Sequence, residues 1–258
     1  MFVKADPKQA RLKVGSYGPP GSGKTFTALL FAEALAAKDG KRIAYVDTER
    51  GTDFYAMPVA DRKIHPAAFD FDALYTKSLA DVLQAVQGLD PAEHGVIVID
   101  SISHLWDAAI EAYDGKRTSQ DGIPMHAWGA IKRPYKQLVK FLLECPLHVF
   151  ILGRQKNIFE DDGDKLRKVG VGMRAEGETE YEPHLSFRME GRKSDDGKTT
   201  TILMHVEKDR TGILAGRTYP NPTFAVLEPV VELLGDEQAH EEDEDERIAK
   251  DAELLAQQ

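Results

Sequence analysis

Residues Gly18 to Thr25 read GPPGSGKT, and this octapeptide decides what kind of fold the chain can adopt. It matches the P-loop pattern G-x-x-x-x-G-K-[ST], in which glycine-rich backbone surrounds phosphate oxygens, a lysine reaches the β- and γ-phosphates and a hydroxyl holds Mg²⁺. An apolar run, Leu12 to Tyr17, precedes it, and an alanine-rich helical stretch, Phe26 to Ala37, follows it. The sequence therefore predicts a strand, a phosphate-binding loop and a helix that together bind a nucleoside triphosphate with Mg²⁺.

Nine consecutive residues are expected to contact the nucleotide. They are Gly18, Pro19, Pro20, Gly21, Ser22, Gly23, Lys24, Thr25 and Phe26. Within this set, the ammonium group of Lys24 is the predicted catalytic cation and the hydroxyl of Thr25 is a predicted metal ligand.

The size and composition of the chain are typical of a single large globular domain. With 258 residues, 42% of them hydrophobic, the chain is long enough for one large α/β domain. We expect a cytoplasmic protein without a membrane segment, because no stretch approaches the roughly 18 apolar residues of a membrane span and MFVKADPKQA resembles no signal peptide. The single cysteine, Cys145, excludes an internal disulfide, and the net charge of -10 argues against a uniformly basic coat for nucleic acid.

Acidic residues are concentrated near the C-terminus, where the run from Glu241 to Glu246 follows Asp236 and Glu237. We therefore expect one domain over residues 1–235 and a solvated acidic tail over residues 236–258. The tail either serves solubility alone, or acts as a polyanion that competes with nucleic acid for a basic site or recruits a partner.

Short apolar runs alternate with amphipathic stretches between residues 11 and 152. The runs lack polar alternation, as expected of strands covered by helices on both faces, and they are Leu12–Tyr17, Ile43–Val46, Val96–Ile99 and Leu147–Leu152. This alternation predicts a doubly wound α/β fold around a mainly parallel sheet.

The pattern changes from about Asn157 onward to alternating segments with turn signals, which predicts antiparallel hairpins in the C-terminal half. The best supported hairpin joins Phe187–Arg192 to Thr199–Glu207 through the turn at residues 194–197.

Two of the predicted strands end in carboxylates. Val96–Ile99 leads into Asp100, which is the Walker B form, and Asp100 is expected to hold Mg²⁺, largely through water. The alternative is that Asp100 caps the following helix, a role that Ser101 could fill equally well. The second strand leads into Asp47 and Glu49. Because the carboxyl ends of parallel strands meet at one edge of a sheet, we expect these acids to lie near the P-loop.

The chain resembles the RecA-like P-loop ATPases, and in particular the AAA-domain family of phage-encoded RecA-like annealing and recombinase proteins. The similarity covers most of residues 11–225 and rests on GPPGSGKT, Asp47-Thr48-Glu49, Val96 to Ser101, Trp128 to Glu144, Tyr181-Glu182-Pro183 and Val206 to Arg210. The resemblance implies a RecA-like fold and the use of ATP and Mg²⁺.

The same resemblance implies roles for residues at the ends of the second and fourth predicted strands. Glu49 would polarise the attacking water, and the alternative is a surface ion pair of Glu49 with Arg50 or Arg42. Either Arg154 or Gln155 would sense the γ-phosphate.

Lys208 and Arg210 are the predicted contribution of one subunit to the nucleotide site of its neighbour. In RecA-like assemblies, basic residues of an adjacent subunit stabilise the charge on the γ-phosphate, as an arginine finger does. Residues two apart on an extended chain share a face, so both cations should project to one side. The resemblance therefore implies a homo-oligomer, and the alternative is a simple turn with solvated charges.

Two segments resemble the loops through which RecA-like recombinases bind single-stranded DNA, namely Tyr113–His126 and Lys156–Tyr181, and both are expected to be loops. They combine cations for phosphates with few aromatic side chains for bases, and acidic residues 160–162 weaken the signal. A row of lysines on the helix after Trp128 forms either a solvated face or a contact with DNA or another subunit: Lys132, Lys136 and Lys140.

These observations predict an Mg²⁺-dependent ATPase that acts on single-stranded DNA in recombination, by annealing or strand exchange. Its expected partners are single-stranded DNA, further copies of the chain and a single-strand-binding or replication protein, in the host cytoplasm if the gene is phage-borne. The alternative is a nucleotide-switched adaptor or loader with little turnover. A helicase- or packaging-type motor ranks last, because the chain offers no separate domain to couple hydrolysis to translocation.

Overall fold

The computed structural model of the chain describes residues 11–114, 123–161, 163 and 165–234. Over these residues nine strands form one sheet. In chain order they are β1 (Lys13–Gly18), β2 (Arg42–Asp47), β3 (Asp72–Tyr75), β4 (His94–Asp100), β5 (His148–Asp161), β6 (Leu166–Met173), β7 (Leu185–Lys193), β8 (Thr200–Asp209) and β9 (Thr218–Pro220).

The strands lie in the order β3-β2-β4-β5-β1-β7-β8-β9, and β6 pairs with β5 beside this path. Every pairing from β3 across to β7 is parallel. The pairs β5–β6, β7–β8 and β8–β9 are antiparallel. The predicted α/β fold, with a mainly parallel sheet and antiparallel hairpins in the C-terminal half, is therefore confirmed.

Five α-helices accompany the sheet in the described part of the chain. They are α1 (Lys24–Asp39), α2 (Leu79–Gln87), α3 (Ile102–Asp114), α4 (Trp128–Glu144) and α5 (Glu228–Leu234). Local signals set their ends: the Ser78 side chain accepts a hydrogen bond from the Asp81 N–H and so caps α2, and Gly40 ends α1 in the left-handed conformation.

Two hydrophobic cores lie on the opposite faces of the sheet. Val96 and Val98 of β4 belong to the core that includes the apolar side of α1, whereas Ile97 and Ile99 belong to the core that includes α3 and α4. Successive residues of β4 are thus buried on both faces, which is why its sequence shows no polar alternation.

Two strands differ from the prediction. β3 was not predicted, because it is a four-residue edge strand whose residues are alternately half-buried and exposed, and it carries little apolar signal. The predicted strand Leu147–Leu152 continues as β5 to Asp161, and its outer half is exposed and pairs with β6. The expectation that Lys156–Tyr181 is a loop is therefore wrong, since residues 156–161 and 166–173 form a hairpin.

The second hairpin agrees with the prediction to within two residues at each strand end, and Gly197 in its turn has a φ of 68°. β7 also pairs in parallel with β1, with Val14 opposite Leu185. The hairpin is therefore joined directly to the strand that leads into the P-loop.

Among the described residues, no helix has both the length and the apolar character that crossing a membrane requires. The predicted acidic tail lies outside the described residues, as do residues 115–122 of the first predicted DNA-binding segment.

Candidate nucleotide-binding site

The P-loop has the backbone conformation that phosphate binding requires. Gly21 and Gly23 have φ values of 73° and 82°, which only glycine adopts at little cost. A Cβ at Gly18 would lie 2.3 Å from the carbonyl oxygen of Met189 in β7, so the loop strand and β7 approach too closely for any side chain. The first turn of α1, Lys24 to Thr27, holds no acidic residue, and Gly23 offers it no side-chain cap. Its N–H groups therefore suit an anion.

The ammonium group of Lys24 folds back over the loop. Its Nζ donates to the carbonyl oxygens of Gly18 and Pro19, both at 2.9 Å, and to Ser22 Oγ at 3.3 Å. Burial lowers the pKa of Lys24, and the nearby carboxylate of Asp100 opposes this shift. Lys24 thus stands over the glycine-rich turn as a cation that a polyphosphate would draw away from backbone oxygens.

Asp100 lies between two hydroxyl groups at the end of β4. Thr25 Oγ1 donates to Asp100 Oδ2 at 2.6 Å, and the Tyr45 hydroxyl donates to the same oxygen at 2.7 Å. Asp100 is only 9% exposed, and burial raises the pKa of its carboxyl against the opposing effect of these two hydrogen bonds. The Thr25 hydroxyl and the Asp100 carboxylate are adjacent oxygen ligands of the kind that Mg²⁺ prefers.

Tyr45, which orients Asp100, is not among the site residues predicted from the sequence. The available signal was its hydroxyl, a polar tip on a side chain inside an otherwise apolar buried strand, where such a group needs a partner.

The segment after β2 is organised by Asp47. Its Oδ1 accepts the N–H groups of Glu49 and Arg50, at 2.8 and 2.7 Å, and its Oδ2 accepts the Thr52 N–H at 3.0 Å. These bonds, together with the bond from the Thr52 hydroxyl, hold the pKa of Asp47 below its ordinary value despite burial. Asp47 thus shapes the turn that presents the Glu49 side chain.

Glu49 forms an ion pair with Arg154 of β5. The Nε and Nη2 atoms of Arg154 donate to Glu49 Oε1 at 3.1 and 2.9 Å. The alternative was an ion pair of Glu49 with Arg50 or Arg42. Arg42 instead pairs with Asp72, so that half of the alternative is wrong. Both groups of the Glu49–Arg154 pair are about half exposed, so the pair is accessible to a ligand.

The position of Arg154 follows from the register of the sheet. Arg154 lies opposite Gly18 where β5 pairs with β1, so its side chain originates beside the P-loop. Gln155 instead pairs with Met173 in the hairpin, and consecutive strand residues point to opposite faces. The structure thus brings Arg154, rather than Gln155, together with Glu49.

Lys208 and Arg210 lie at the opposite edge of the sheet. Lys208 pairs with Ser186, and Ser186 pairs with Gly15 near the start of β1. Both side chains donate to the carbonyl oxygen of Tyr181, as the two-residue spacing predicts for one face. Burial and the neighbouring Arg210 lower the pKa of Lys208. These cations are at the far end of β1 from their own P-loop.

The lysine row of α4 is solvent-exposed, as one of the two expectations has it, but each lysine lies beside a carboxylate. Lys132 pairs with the buried Glu176 at 2.9 Å and Lys136 with Glu178 at 2.6 Å. Lys140 lies 3.8 Å from Glu144 on the same helix. Carboxylates therefore neutralise the row within the subunit.

The β5–β6 hairpin exposes both apolar and cationic side chains. Phe159 is 52% exposed and Leu166 is 72% exposed, and Arg167 and Lys168 are exposed beside them. Such a surface can contact both bases and phosphates of a single strand.

A self-contained metal centre is not seen: no group of three or more His, Cys, Asp or Glu side chains within the described ranges is arranged to hold a metal ion. A metal ion at Thr25 and Asp100 would thus need further ligands from the bound phosphates and water.

The AAA domain family matches residues 10–211 of the chain. The DNA repair and recombination protein RadB of Methanosphaera stadtmanae is 27% identical over 203 residues, which cover 74% of this chain and 78% of RadB.

A solved structure of a KaiC-like protein from Pyrococcus horikoshii superposes with a TM-score of 0.51 at 16% identity, covering 83% of this chain and 85% of that one. This likeness concerns the fold alone. Because the family match spans most of the chain, the protein belongs to the AAA domain family and is a RecA-like P-loop ATPase by fold.

Proposed function

We propose that the protein binds ATP with Mg²⁺ at residues 18–26, hydrolyses it, and acts on single-stranded DNA in repair or recombination, by annealing or strand exchange. The observation that carries the proposal is the convergence of Lys24, Thr25, Asp100, Glu49 and Arg154 at the carboxyl edge of the sheet. The name of the relative RadB, a DNA repair and recombination protein, supports the choice of DNA.

The triphosphate would be held by the backbone N–H groups of the loop and by Lys24. Thr25 and Asp100 would hold Mg²⁺, which when bound neutralises charge on the phosphates. The 2.6 Å contact between the two side chains supports this assignment, because it places both oxygens where one ion can reach them.

Glu49 would orient and deprotonate the attacking water. Arg154 occupies its Oε1, so Oε2 would accept the proton. Arg154 would also sense the γ-phosphate, because a phosphate dianion arriving beside it competes with Glu49 for the guanidinium. Arrival of the nucleotide would thereby release Glu49 for catalysis.

Lys208 and Arg210 would complete the site of a neighbouring subunit. Their position at the amino edge of the sheet separates them from their own P-loop, which favours action on a second copy. A homo-oligomer in which the amino edge of one subunit faces the carboxyl edge of the next would bring them to the γ-phosphate.

The DNA would lie along the β5–β6 hairpin, with cations on phosphates and Phe159 against bases. The catalytic domain would extend over residues 1–235, and the tail 236–258 would compete with DNA for the basic surface or recruit a single-strand-binding or replication protein. We place the protein in the cytoplasm, that of a host cell if the gene is phage-borne.

The test is ATP hydrolysis with and without single-stranded DNA at several protein concentrations. We expect DNA-stimulated turnover per subunit that rises with protein concentration and is lost in Lys24→Ala. Lys38→Ala, at the exposed far end of the same helix, is the matched control and should behave as the unsubstituted protein. Tight nucleotide binding without turnover or a response to DNA would instead favour the nucleotide-switched adaptor or loader.

A further inference from the structure

His104 lies in the first turn of α3, directly behind Glu49. Its Nδ1 is 2.8 Å from Thr48 Oγ1, and its Nε2 is 3.8 Å from Glu49 Oε1. The imidazole is only 13% exposed. The position of His104 at the start of α3 places it near Asp100. Its contacts with Thr48 and Glu49, in contrast, depend on how the segment after β2 packs against α3.

We assign the ring proton of His104 from the hydrogen bonds of Thr48 and the position of Glu49. Thr48 Oγ1 accepts the Ser101 N–H at 2.9 Å, so its own proton is available to one acceptor. The Asp100 carbonyl oxygen is 3.2 Å away and already receives the Thr48 N–H at 2.8 Å. His104 Nδ1 is nearer, at 2.8 Å, and is therefore the better acceptor.

On this basis we assign the proton of the neutral ring to Nε2. Burial lowers the pKa of His104, and the cation of Arg154 lowers it further, so the ring is neutral at pH 7. With Nδ1 engaged by Thr48, Nε2 is the ring nitrogen that lies near the carboxylate of Glu49, at 3.8 Å from Oε1. Arg154 and His104 thus approach the same oxygen, Oε1.

We propose that His104, fixed by Thr48, is a positioning residue that holds the Glu49 carboxylate toward the attacking water. This inference rests on the proposed function. Once Arg154 turns to the γ-phosphate, His104 is the donor that still steadies Oε1, and a small rotation of Glu49 closes the 3.8 Å separation to a hydrogen bond. The chain from Asp100 through Thr48 and His104 to Glu49 then links the metal side of the site to the water side.

The kinetic test compares His104→Ala and His104→Gln in the full chain with DNA present. We expect His104→Ala to lower kcat by about 10-fold without changing the affinity for nucleotide, because the group acts on an orientation rather than on binding. His104→Gln should recover part of the loss, since its amide N–H reaches roughly the position of Nε2. A loss of nucleotide affinity in step with thermal stability would indicate a merely structural role and overturn the proposal.

A double substitution isolates the path through Glu49. In a Glu49→Gln background, His104→Ala should cause no further loss of kcat, because the group that it positions is already disabled. A full additional loss would show that His104 acts elsewhere. Thr48→Val should reproduce the effect of His104→Ala, whereas Thr48→Ser, which keeps the hydroxyl, should not.

The tautomer of His104 provides a readout that does not depend on turnover. ¹⁵N-histidine spectra, assigned by the signal lost in His104→Gln, should show a proton on Nε2 and none on Nδ1. A proton on Nδ1 in a protein that hydrolyses ATP would overturn the role of His104 alone. Absence of DNA-stimulated turnover in the unsubstituted protein would overturn the proposed function, and the positioning role with it.

Discussion

Asp100 shows how single hydroxyl groups set the electrostatics of this site. The carboxylate is buried, and the same oxygen accepts from Thr25 and Tyr45 at 2.6 and 2.7 Å. One donor belongs to the P-loop helix and would share the metal ion. The other donor, Tyr45, belongs to β2 and orients the Asp100 carboxylate.

Removing the hydrogen bond from Tyr45 to Asp100 should weaken Mg²⁺ binding without disturbing the P-loop. We expect Tyr45→Phe to raise the Mg²⁺ concentration needed for half-maximal ATP hydrolysis by about 10-fold, because outer hydrogen bonds orient a metal-binding carboxylate. The measurement is a magnesium titration of ATPase activity. Tyr75→Phe, which removes the hydroxyl bonded to Asp53 at the sheet edge, is the control. An unchanged magnesium requirement in Tyr45→Phe would contradict the assignment.

The buried imidazole of His148 predicts acid sensitivity of the fold. Its Nδ1 accepts the Leu12 N–H at 3.0 Å, and Arg11 lies 3.2 Å from Nε2, with Asp39 at 3.9 Å. Burial and the Arg11 cation lower the pKa of His148 from 6.5 to about 4. The unfolded chain therefore binds this proton more readily than the folded one, and stability is lost as the pH falls from 6.5 toward 4.

From this shift we expect unfolding free energy to fall by about 2 kcal/mol between pH 7 and pH 5 through this one group. Urea unfolding at the two pH values measures it. His148→Asn keeps an acceptor for the Leu12 N–H but does not titrate, so it should remove that part of the pH dependence. An equal pH dependence in His148→Asn would show that other groups are responsible.

The contact of the P-loop with β7 is the element-scale feature on which nucleotide binding depends. A Cβ at Gly18 would lie 2.3 Å from the Met189 carbonyl oxygen, and one at Gly191 would lie 3.0 Å from the Gly21 oxygen. The backbone of β7 therefore packs directly against the backbone of the P-loop.

Gly18→Ala should push the loop away from β7. We expect a loss of roughly 1–3 kcal/mol of stability, as for overpacking of a close contact, together with loss of nucleotide binding. Gly129→Ala is a matched control, because a Cβ there meets nothing within 4 Å and alanine favours the helix. Chemical denaturation and a nucleotide-binding titration measure both effects. Normal nucleotide affinity in Gly18→Ala would contradict the supporting role of β7.

The β5–β6 hairpin should carry the salt-dependent part of DNA binding. We expect Arg167→Glu with Lys168→Glu to weaken single-strand binding and to reduce the slope of log affinity against log salt by about 1 to 2, the release expected for two phosphate contacts. Fluorescence anisotropy over a salt series measures this. Lys198→Glu, in the exposed β7–β8 turn, should have little effect. An unchanged slope in the double variant would place the DNA elsewhere.

At the scale of the whole molecule, the proposed catalytic groups lie at opposite ends of the parallel strands. The P-loop group lies at the carboxyl edge, and Lys208 with Arg210 lies at the amino edge. In the proposed assembly, a complete site would therefore draw on two subunits.

Mixing two inactive variants tests this arrangement. We expect Lys24→Ala and Arg210→Ala each to be inactive, and an equal mixture to recover about a quarter of normal turnover, because random assembly pairs an intact P-loop with an intact Arg210 at that frequency. The measurement is ATP hydrolysis of the mixture with single-stranded DNA. Failure to recover activity in a mixture shown to co-assemble would contradict the inter-subunit role.

The sequence by itself determined the central architecture and the position of the chemistry along the chain. Glycine spacing identified the P-loop, and uninterrupted apolar runs identified β1, β2, β4 and the inner half of β5, because these patterns reflect local backbone freedom and burial on two faces. Asp100 and Glu49 were identifiable because each follows such a run, and the ends of parallel strands meet at one edge.

Only the tertiary structure decided which side chains meet. Glu49 and Arg154 are 105 residues apart in the sequence, and their pairing depends on β4 alone separating β5 from β2 in the sheet. The lysines of α4 were ambiguous because their partners Glu176 and Glu178 come from a distant segment. The edge strand β3 was not predicted for the same reason: its stability comes from partners in space, whereas periodicity records only burial along the chain.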